Sequence, residues 1–428
     1  MNTDSAGASG TSDTTVPQDL ARPVDAAALL GLLPARPELL ALGEPTHREE
    51  TLLALRNELF RQLVGEGYRT IAVETDCLAG LLVDDYVVSG SGSLDQVMAD
   101  GFSHDWGACP ANRELVRWMR AHNEGRPPSE QVRFAGFDGP LEITHAASPR
   151  RALTALHGYL AARVGAEPLP CTGETLDRLL GPDDRWSEPA AMWEPARSVG
   201  RSAEAGRLRL LADELVALLD IQAPALIPAA PRDVQEAREE RGEAREAREA
   251  WEAWDRACLY GRTAVGLLRY HHAMADPSAA RLTRLVALRD LMMAQNLLAL
   301  AARGPALVHA HNGHLQRERS TMRMGGAEVA WWSAGALVSA RLGRGYAFVA
   351  TALGTLRHQG VGTPPPDTVE GMLYALPGER SVLDARRLAG ALGGTPPAPR
   401  VSPWFGYAPF DPAHLPGVDG LVFVRDVA

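Results

Sequence analysis

Leu39-Leu40-Ala41-Leu42-Gly43-Glu44-Pro45-Thr46-His47-Arg48-Glu49-Glu50 is the stretch that decides the fold. Its opening run, Leu39–Leu42, is apolar, short, and closed by a glycine, the signature of a buried strand rather than a helix. A polar turn follows, and then apolar spacing that predicts a helix over about Glu49–Val64. Working outward, the same grammar recurs. Thr70–Val73 runs into Glu74-Thr75-Asp76, Val132–Ala135 into Gly136-Phe137-Asp138, and Ala306–Ala310 into His311-Asn312-Gly313-His314. Helical segments separate these strands, which calls for crossover connections and therefore parallel pairing. The predicted fold class is α/β, a mainly parallel central sheet flanked by helices. In such sheets ligands bind beyond the carboxyl ends of the strands. Glu44, His47, Glu74, Asp138, His311 and His314 are therefore expected to converge on one cleft.

The flanking regions read differently. A helix is expected around Asp25–Leu33, and further strands at Tyr346–Thr351, Gly371–Ala375 and Gly420–Val424. Residues 150–275 are strongly helical. Within them Val234–Asp255 alternates Arg and Glu at spacings of three and four, which makes a solvated helix laced by ion pairs. Stretches around Pro168–Pro195 and Gln222–Pro231 are read as linking loops. The expected organisation is a disordered tail over 1–19, a core built from 20–149 and 276–428, and a helical insertion over 150–275 acting as a lid on the cleft. There is no internal repeat.

Composition narrows the function. The net charge is −10 and every one of the 43 basic residues is arginine, interleaved with acid. Nucleic-acid binding needs clustered positive charge, so it is excluded as a partner class. Cys77, Cys109, Cys171 and Cys258 are scattered with no CxxC pair, so neither a zinc ribbon nor a disulfide scaffold is expected. The first residues lack the basic and apolar regions of a signal peptide. No uninterrupted apolar run reaches the roughly 18 residues of a membrane span. The expected location is cytoplasmic, the expected partner a small molecule, and the expected assembly a monomer or homodimer.

Among the residues able to do chemistry, Glu44 and His47 stand three apart at a strand-to-helix turn. Imidazole titrates near neutrality and suits a general base, and a nearby carboxylate can orient it. The bland alternative is a helix cap or a buried hydrogen bond. His311 and His314 can ligate a metal, stabilise charge, or simply bond a loop. The zinc-protease pattern HExxH is absent, and no metal is expected. Arg56, two turns into the helix after His47, can bind a carbonyl or an oxyanion, or form an ordinary salt bridge. Asn312 and Asp138 are candidates for substrate contact. Arg289-Asp290, read as the start of a helix, is taken as an ion-paired brace. There is no GxSxG elbow, no GxGxxG after a strand, and no Walker A sequence. Cys77 lacks an adjacent base and is read as inert.

Gly43-Glu44-Pro45-Thr46-His47, Ala72-Val73-Glu74-Thr75, Gly136-Phe137-Asp138, Arg289-Asp290 with Met293-Ala294 and Asn296, His311-Asn312-Gly313-His314 and the closing Val418–Arg425 occur in the order that resembles the erythromycin esterase family, over residues 35–428. That resemblance implies an α/β core under a helical insertion and cofactor-free, metal-independent hydrolysis, of macrolide lactones in the antibiotic-resistance members. It implies that His47 deprotonates water and that Glu44, Arg56, Glu74, His311 and His314 line the same site. Some relatives carry labels from exopolysaccharide biosynthesis. The chain departs from the pattern where many members have Gly after the first histidine and Glu four residues beyond it; here Arg48 and Thr51 stand there.

The expected chemistry is attack of His47-activated water on an ester carbonyl, Glu44 assisting and Arg56 or a histidine holding the oxyanion. Natural-product tailoring by the same groups, small-molecule binding without turnover, and metal-dependent hydrolysis are the alternatives.

Overall fold

The computed structural model describes residues 16–142, 145–227, 241–393 and 396–427. Ten strands are present among the described residues: β1 (Ala21–Arg22), β2 (Leu39–Glu44), β3 (Thr70–Asp76), β4 (Arg133–Asp138), β5 (Ala306–His311), β6 (Arg319–Met324), β7 (Ala327–Trp332), β8 (Tyr346–Leu356), β9 (Arg380–Asp384) and β10 (Gly420–Val427). Eight of them form one sheet in the order β1-β9-β10-β8-β2-β5-β3-β4. Pairing is parallel from β10 through β8, β2, β5 and β3 to β4. Only the β9 and β1 edge is antiparallel. The mainly parallel α/β architecture expected from the strand–turn–helix grammar is the one observed.

The two faces explain the sequence pattern. All six residues of β2 and all eleven of β8 are buried, as central parallel strands covered on both sides must be. One face packs under the helices Glu50–Gly65 and Pro110–Asn123, which bury Leu59, Phe60, Leu63, Leu115 and Met119 against Leu40, Leu42, Ile71 and Val73. The opposite face takes the helix Arg281–Ala301 and the shorter helices that follow, with Met293, Leu297 and Leu300 against Leu39, Ala41 and Val308. Each such aliphatic or aromatic side chain contributes on the order of 1.5–3 kcal/mol by leaving water.

The helices Arg150–Val164, Gly173–Leu180, Ala203–Leu226 and Arg241–Met274 build a core of their own, with Leu156, Leu208, Leu211 and Leu215 at its centre. It meets the sheet at Cys77 and Leu78, just past the end of β3. Among the described residues no helix is long and apolar enough to cross a membrane.

Several local expectations are corrected. Gly371–Ala375 is not a strand but part of the helix Val369–Tyr374, because the Thr368 hydroxyl caps the Gly371 N–H and starts a helical turn. The helix carrying Arg289 begins earlier, at Arg281. The Pro168–Pro195 stretch contains the helix Gly173–Leu180, and the helix Ala203–Leu226 runs past Pro224. Residues 1–15 of the proposed tail, and the first part of the Val234–Asp255 run, lie outside the described residues. Residues 16–19 are not a free tail: Val16 is buried in the core and Gln18–Leu20 forms a 3-10 turn. The β6–β7 hairpin and β9 were missed. The hairpin turns on Gly325-Gly326, both left-handed at φ 55° and 81°, a two-residue glycine turn that was visible in the sequence.

Candidate active site

Four strand ends meet as the sheet geometry requires. β2 ends at Glu44, β5 at His311, β3 just past Glu74 and β4 at Asp138. The chemistry divides into two hydrogen-bonded assemblies.

The first is a chain of three side chains on β2 and β5. His47 Nδ1 lies 2.7 Å from Glu44 Oε1. Glu44 Oε2 lies 3.1 Å from His309 Nε2, and His309 Nδ1 lies 3.1 Å from the Leu42 carbonyl. Glu44 and His309 are fully buried, whereas the His47 side chain is 43% exposed. Burial pushes the Glu44 pKa up, but the neighbouring His309 and His47 outweigh it and hold it down at about 2. At His47 the surrounding protein lowers the pKa; the Glu74 charge and the bond to Glu44 more than offset this, leaving it above the ordinary histidine value. The imidazole is packed edge-on against Trp106, with ring centroids 5.5 Å apart, and lies 5.3 Å from the ring of His311.

The tautomers follow from the bonding. With its Nδ1 hydrogen given to a carboxylate, neutral His47 keeps a lone pair on Nε2. His311 is the reverse. Its Nδ1 accepts from the Gly313 N–H at 3.1 Å, so its proton sits on Nε2 as a donor. Burial, helped by the charge on His47, pushes the His311 pKa down to about 4, which keeps that ring neutral.

The second assembly spans β3, β4 and the helix Arg281–Ala301. Arg289 bridges Glu74 Oε1 at 3.0 Å and Asp138 Oδ2 at 2.7 Å. Asp138 also bonds His104 Nε2 at 3.1 Å, and His104 Nδ1 bonds Glu142 at 2.7 Å. Glu74 Oε2 accepts the His311 backbone N–H. His314 lies between Asp290, at 2.8 Å, and Glu74, at 3.5 Å. Burial alone would raise the Glu74 and Asp138 pKa values. The cations around them win, and both carboxyls are held below their usual range. Burial lowers His104, yet its two carboxylate partners lift it to about 9. His314 is lifted likewise, against burial, by Asp290 and Glu74.

The expected site residues therefore fare unequally. Glu44, His47, Glu74, His311 and His314 are brought together. Arg56 is beside them but fully buried, its guanidinium given to Asn57 Oδ1 and Asn112 Oδ1. Burial drives its pKa down to about 10, against the pull of Glu44. Asp138 is sealed behind Arg289 and His104. Asn312 clamps β8 through both backbone groups of Thr351. Its Oδ1 would be 2.1 Å from a Cβ at position 43, so glycine is required where β2 meets this turn. In this geometry Asp138 and Asn312 are held by protein partners, while Arg56 keeps one buried nitrogen, Nη1, without a hydrogen-bond partner.

Three participants were not foreseen. His309 had a signal, since His-Ala-His at a strand end puts His309 and His311 on one face. His104 and Trp106 had none, because their loop is brought to Asp138 and His47 only by tertiary packing. His104 (φ 54°), Asp105 (φ 58°) and Arg48 (φ 64°) are the non-glycine residues in the left-handed region among those described. Arg48 and Asp105 pair at 3.2 Å on the exposed rim of the site, tying the turn after β2 to the loop that carries His104. Position 48 takes glycine geometry, which is why an arginine there is a true departure. Among the described residues no group of three or more His, Cys, Asp or Glu is arranged to hold a metal ion.

Comparison with known proteins agrees with this architecture. A family model described as erythromycin esterase matches residues 64–427. Its span begins after His47. Among solved structures, a Bacillus cereus protein superposes with a TM-score of 0.67 at 16% identity, covering 96% of each chain. A succinoglycan biosynthesis protein gives 0.63 at 15% identity over 98% of each. A mutant of the erythromycin esterase EreC in its open conformation gives 0.61 at 16% identity, over 93% of this chain and 92% of that one. No curated protein matches significantly.

Proposed function

The chain belongs to the erythromycin esterase family, and from that premise we propose that it is a hydrolase that opens an ester or lactone of a small natural product with His47 as general base. The observation that carries this reading is the pair of complementary imidazoles. His47 has Nδ1 committed to Glu44 and its other side toward solvent, and His311, 5.3 Å away, is neutral with its proton on Nε2. One ring takes a proton while the other donates a hydrogen bond.

In this mechanism water loses its proton to His47 Nε2 as its oxygen attacks the carbonyl carbon. The carbonyl π pair moves onto oxygen, where the His311 Nε2–H donates. A preorganised donor of this kind contributes about 3–4 kcal/mol to the barrier reduction. The ionised Glu44 stabilises the imidazolium that forms. Collapse of the tetrahedral intermediate expels the alkoxide, which takes the proton from His47, and acid and alcohol leave. Glu74 holds the His311 backbone and, through Arg289, the relation of β3 to β4. The helical block over residues 150–275 is assigned here as the lid that selects the substrate.

The test is a panel of esters and macrolactones incubated with the enzyme in 18O-labelled water. Incorporation of one label into the product acid, lost by ~10²–10⁴-fold in a folded His47→Ala variant, is the expected result. Product without label means that a group other than water is the nucleophile. Full turnover in the variant removes His47 from the mechanism.

A further inference from the structure

We propose that His309 is a positioning residue for His47, acting through a proton that it shares with Glu44. The inference rests on the reading of His47 as base, and it begins from a hydrogen-bond count. Both nitrogens of His309 face acceptors: Nδ1 the Leu42 carbonyl at 3.1 Å, Nε2 the Glu44 carboxyl at 3.1 Å. A neutral imidazole has one N–H and can satisfy only one of them. Contact at both nitrogens requires one more proton between Nε2 and Oε2. That proton belongs to the pair rather than to either residue. The site is fully buried, so water does not relieve the mismatch.

Two consequences reach His47. Glu44 is fixed in rotation because its second oxygen is taken, so Oε1 is left aimed at His47 Nδ1. Among the described residues His309 is also the only cation-forming group hydrogen-bonded to Glu44 besides His47; Arg56 bonds Asn57 and Asn112 through Nε and Nη2. The charge that Glu44 presents to His47 is therefore partly cancelled. The other titratable or charged groups around this chain are Arg48 and Glu49 on the same turn, Glu50 and Arg56 on the following helix, Cys109, Glu74 on β3, and His311 and His314 past β5. None of them contacts His309.

The test compares wild type with His309→Gln, whose amide can donate to Glu44 but cannot carry the extra proton. Histidine-labelled protein gives the His47 titration by NMR, independent of any substrate. In the variant Glu44 is a full carboxylate, so the His47 titration moves up by roughly one pH unit. The acidic limb of kcat/KM moves with it. An unmoved His47 titration in the folded variant overturns the proposal. A limb that stays while His47 moves faults the reading of His47 as base and leaves the pairing intact. Should the variant not fold, the wild-type spectrum decides: Nδ1 of His309 protonated at neutral pH is expected, and an unprotonated Nδ1 means a plain neutral donor and overturns the shared proton.

Discussion

The two assemblies at the strand ends use the same residue types for opposite ends. On β2 and β5, Glu44 sits between two imidazoles in a single file, and the file ends on a ring that is 43% exposed. On β3 and β4, Glu74 and Asp138 are held by Arg289, His104 and His314 in a closed web whose members all have protein partners. An open file leaves one group free to exchange a proton. A closed web has no free member, and its removal costs stability before it costs chemistry. On the proposed reading, the clustered carboxylates and histidines at the strand ends divide into a working half and a bracing half.

Exchanging one member in each half tests that division most strongly. Glu44→Gln retains shape but removes the charge that stabilises the His47 imidazolium. Turnover is expected to fall by ~10²–10⁴-fold, the range for losing the orienting carboxylate of an acid–base pair, with little change in unfolding. Arg289→Met leaves Glu74 and Asp138 buried without their shared cation. It is expected to lose about 3–5 kcal/mol of stability in urea titrations. The division fails if Glu44→Gln unfolds the protein while Arg289→Met retains its stability and loses only kcat.

Most of the fold was legible because parallel strands buried on both faces leave continuous apolar runs, as Leu39–Leu42 and Ala306–Ala310 do. Strand β9, Arg380–Asp384, was not, since its buried run is only Ser381-Val382-Leu383 between an exposed Arg380 and a half-buried Asp384, too short an apolar signal. The helix Val369–Tyr374 was taken for a strand because its apolar run is too short to show a period. Within the site, residues on the strands themselves were found from their position at strand ends. Arg56 was placed near the site, since spacing along a helix fixes distance from His47, but its acceptors Asn57 and Asn112 come from packing and leave no mark in the sequence. The loop carrying His104 and Trp106 left no mark in the sequence, because what makes it part of the site is contact with β4 and His47.

The halves also separate in pH. Glu74 and Asp138 titrate below the ordinary carboxylate range, so the stability they contribute is present above roughly pH 4 and is lost as pH falls through their lowered values. His104 is raised to about 9, so its contribution is complete below the ordinary histidine pKa and is lost as pH rises through about 9. Thermal stability should therefore be greatest between roughly pH 4 and the ordinary histidine pKa of about 6.5 and decline above it. Activity should lie on the alkaline side of that window. His47 is raised above 6.5 and is a base only when deprotonated, so kcat/KM is lost as pH falls through that raised value while the fold is still intact. Coincident acid edges for activity and unfolding would mean that the bracing half, not His47, sets the profile.

The smallest effect is expected at the rim, where Arg48 holds a left-handed backbone at φ 64° and pairs with Asp105, itself at φ 58°. A non-glycine residue in that region costs on the order of 1 kcal/mol or more. The compensating ion pair has side chains 55% and 81% exposed, and such pairs return about 0–1 kcal/mol. Strain outweighs pairing, so Arg48→Gly should stabilise the fold, by less than ~1 kcal/mol and about 1–2 °C in Tm. Turnover of an uncharged ester should not change, because neither file nor web includes Arg48. A lower Tm would show that the pair ties the β2 turn to the His104 loop more tightly than exposed charges do. Unchanged stability with altered turnover would extend the working half to the rim.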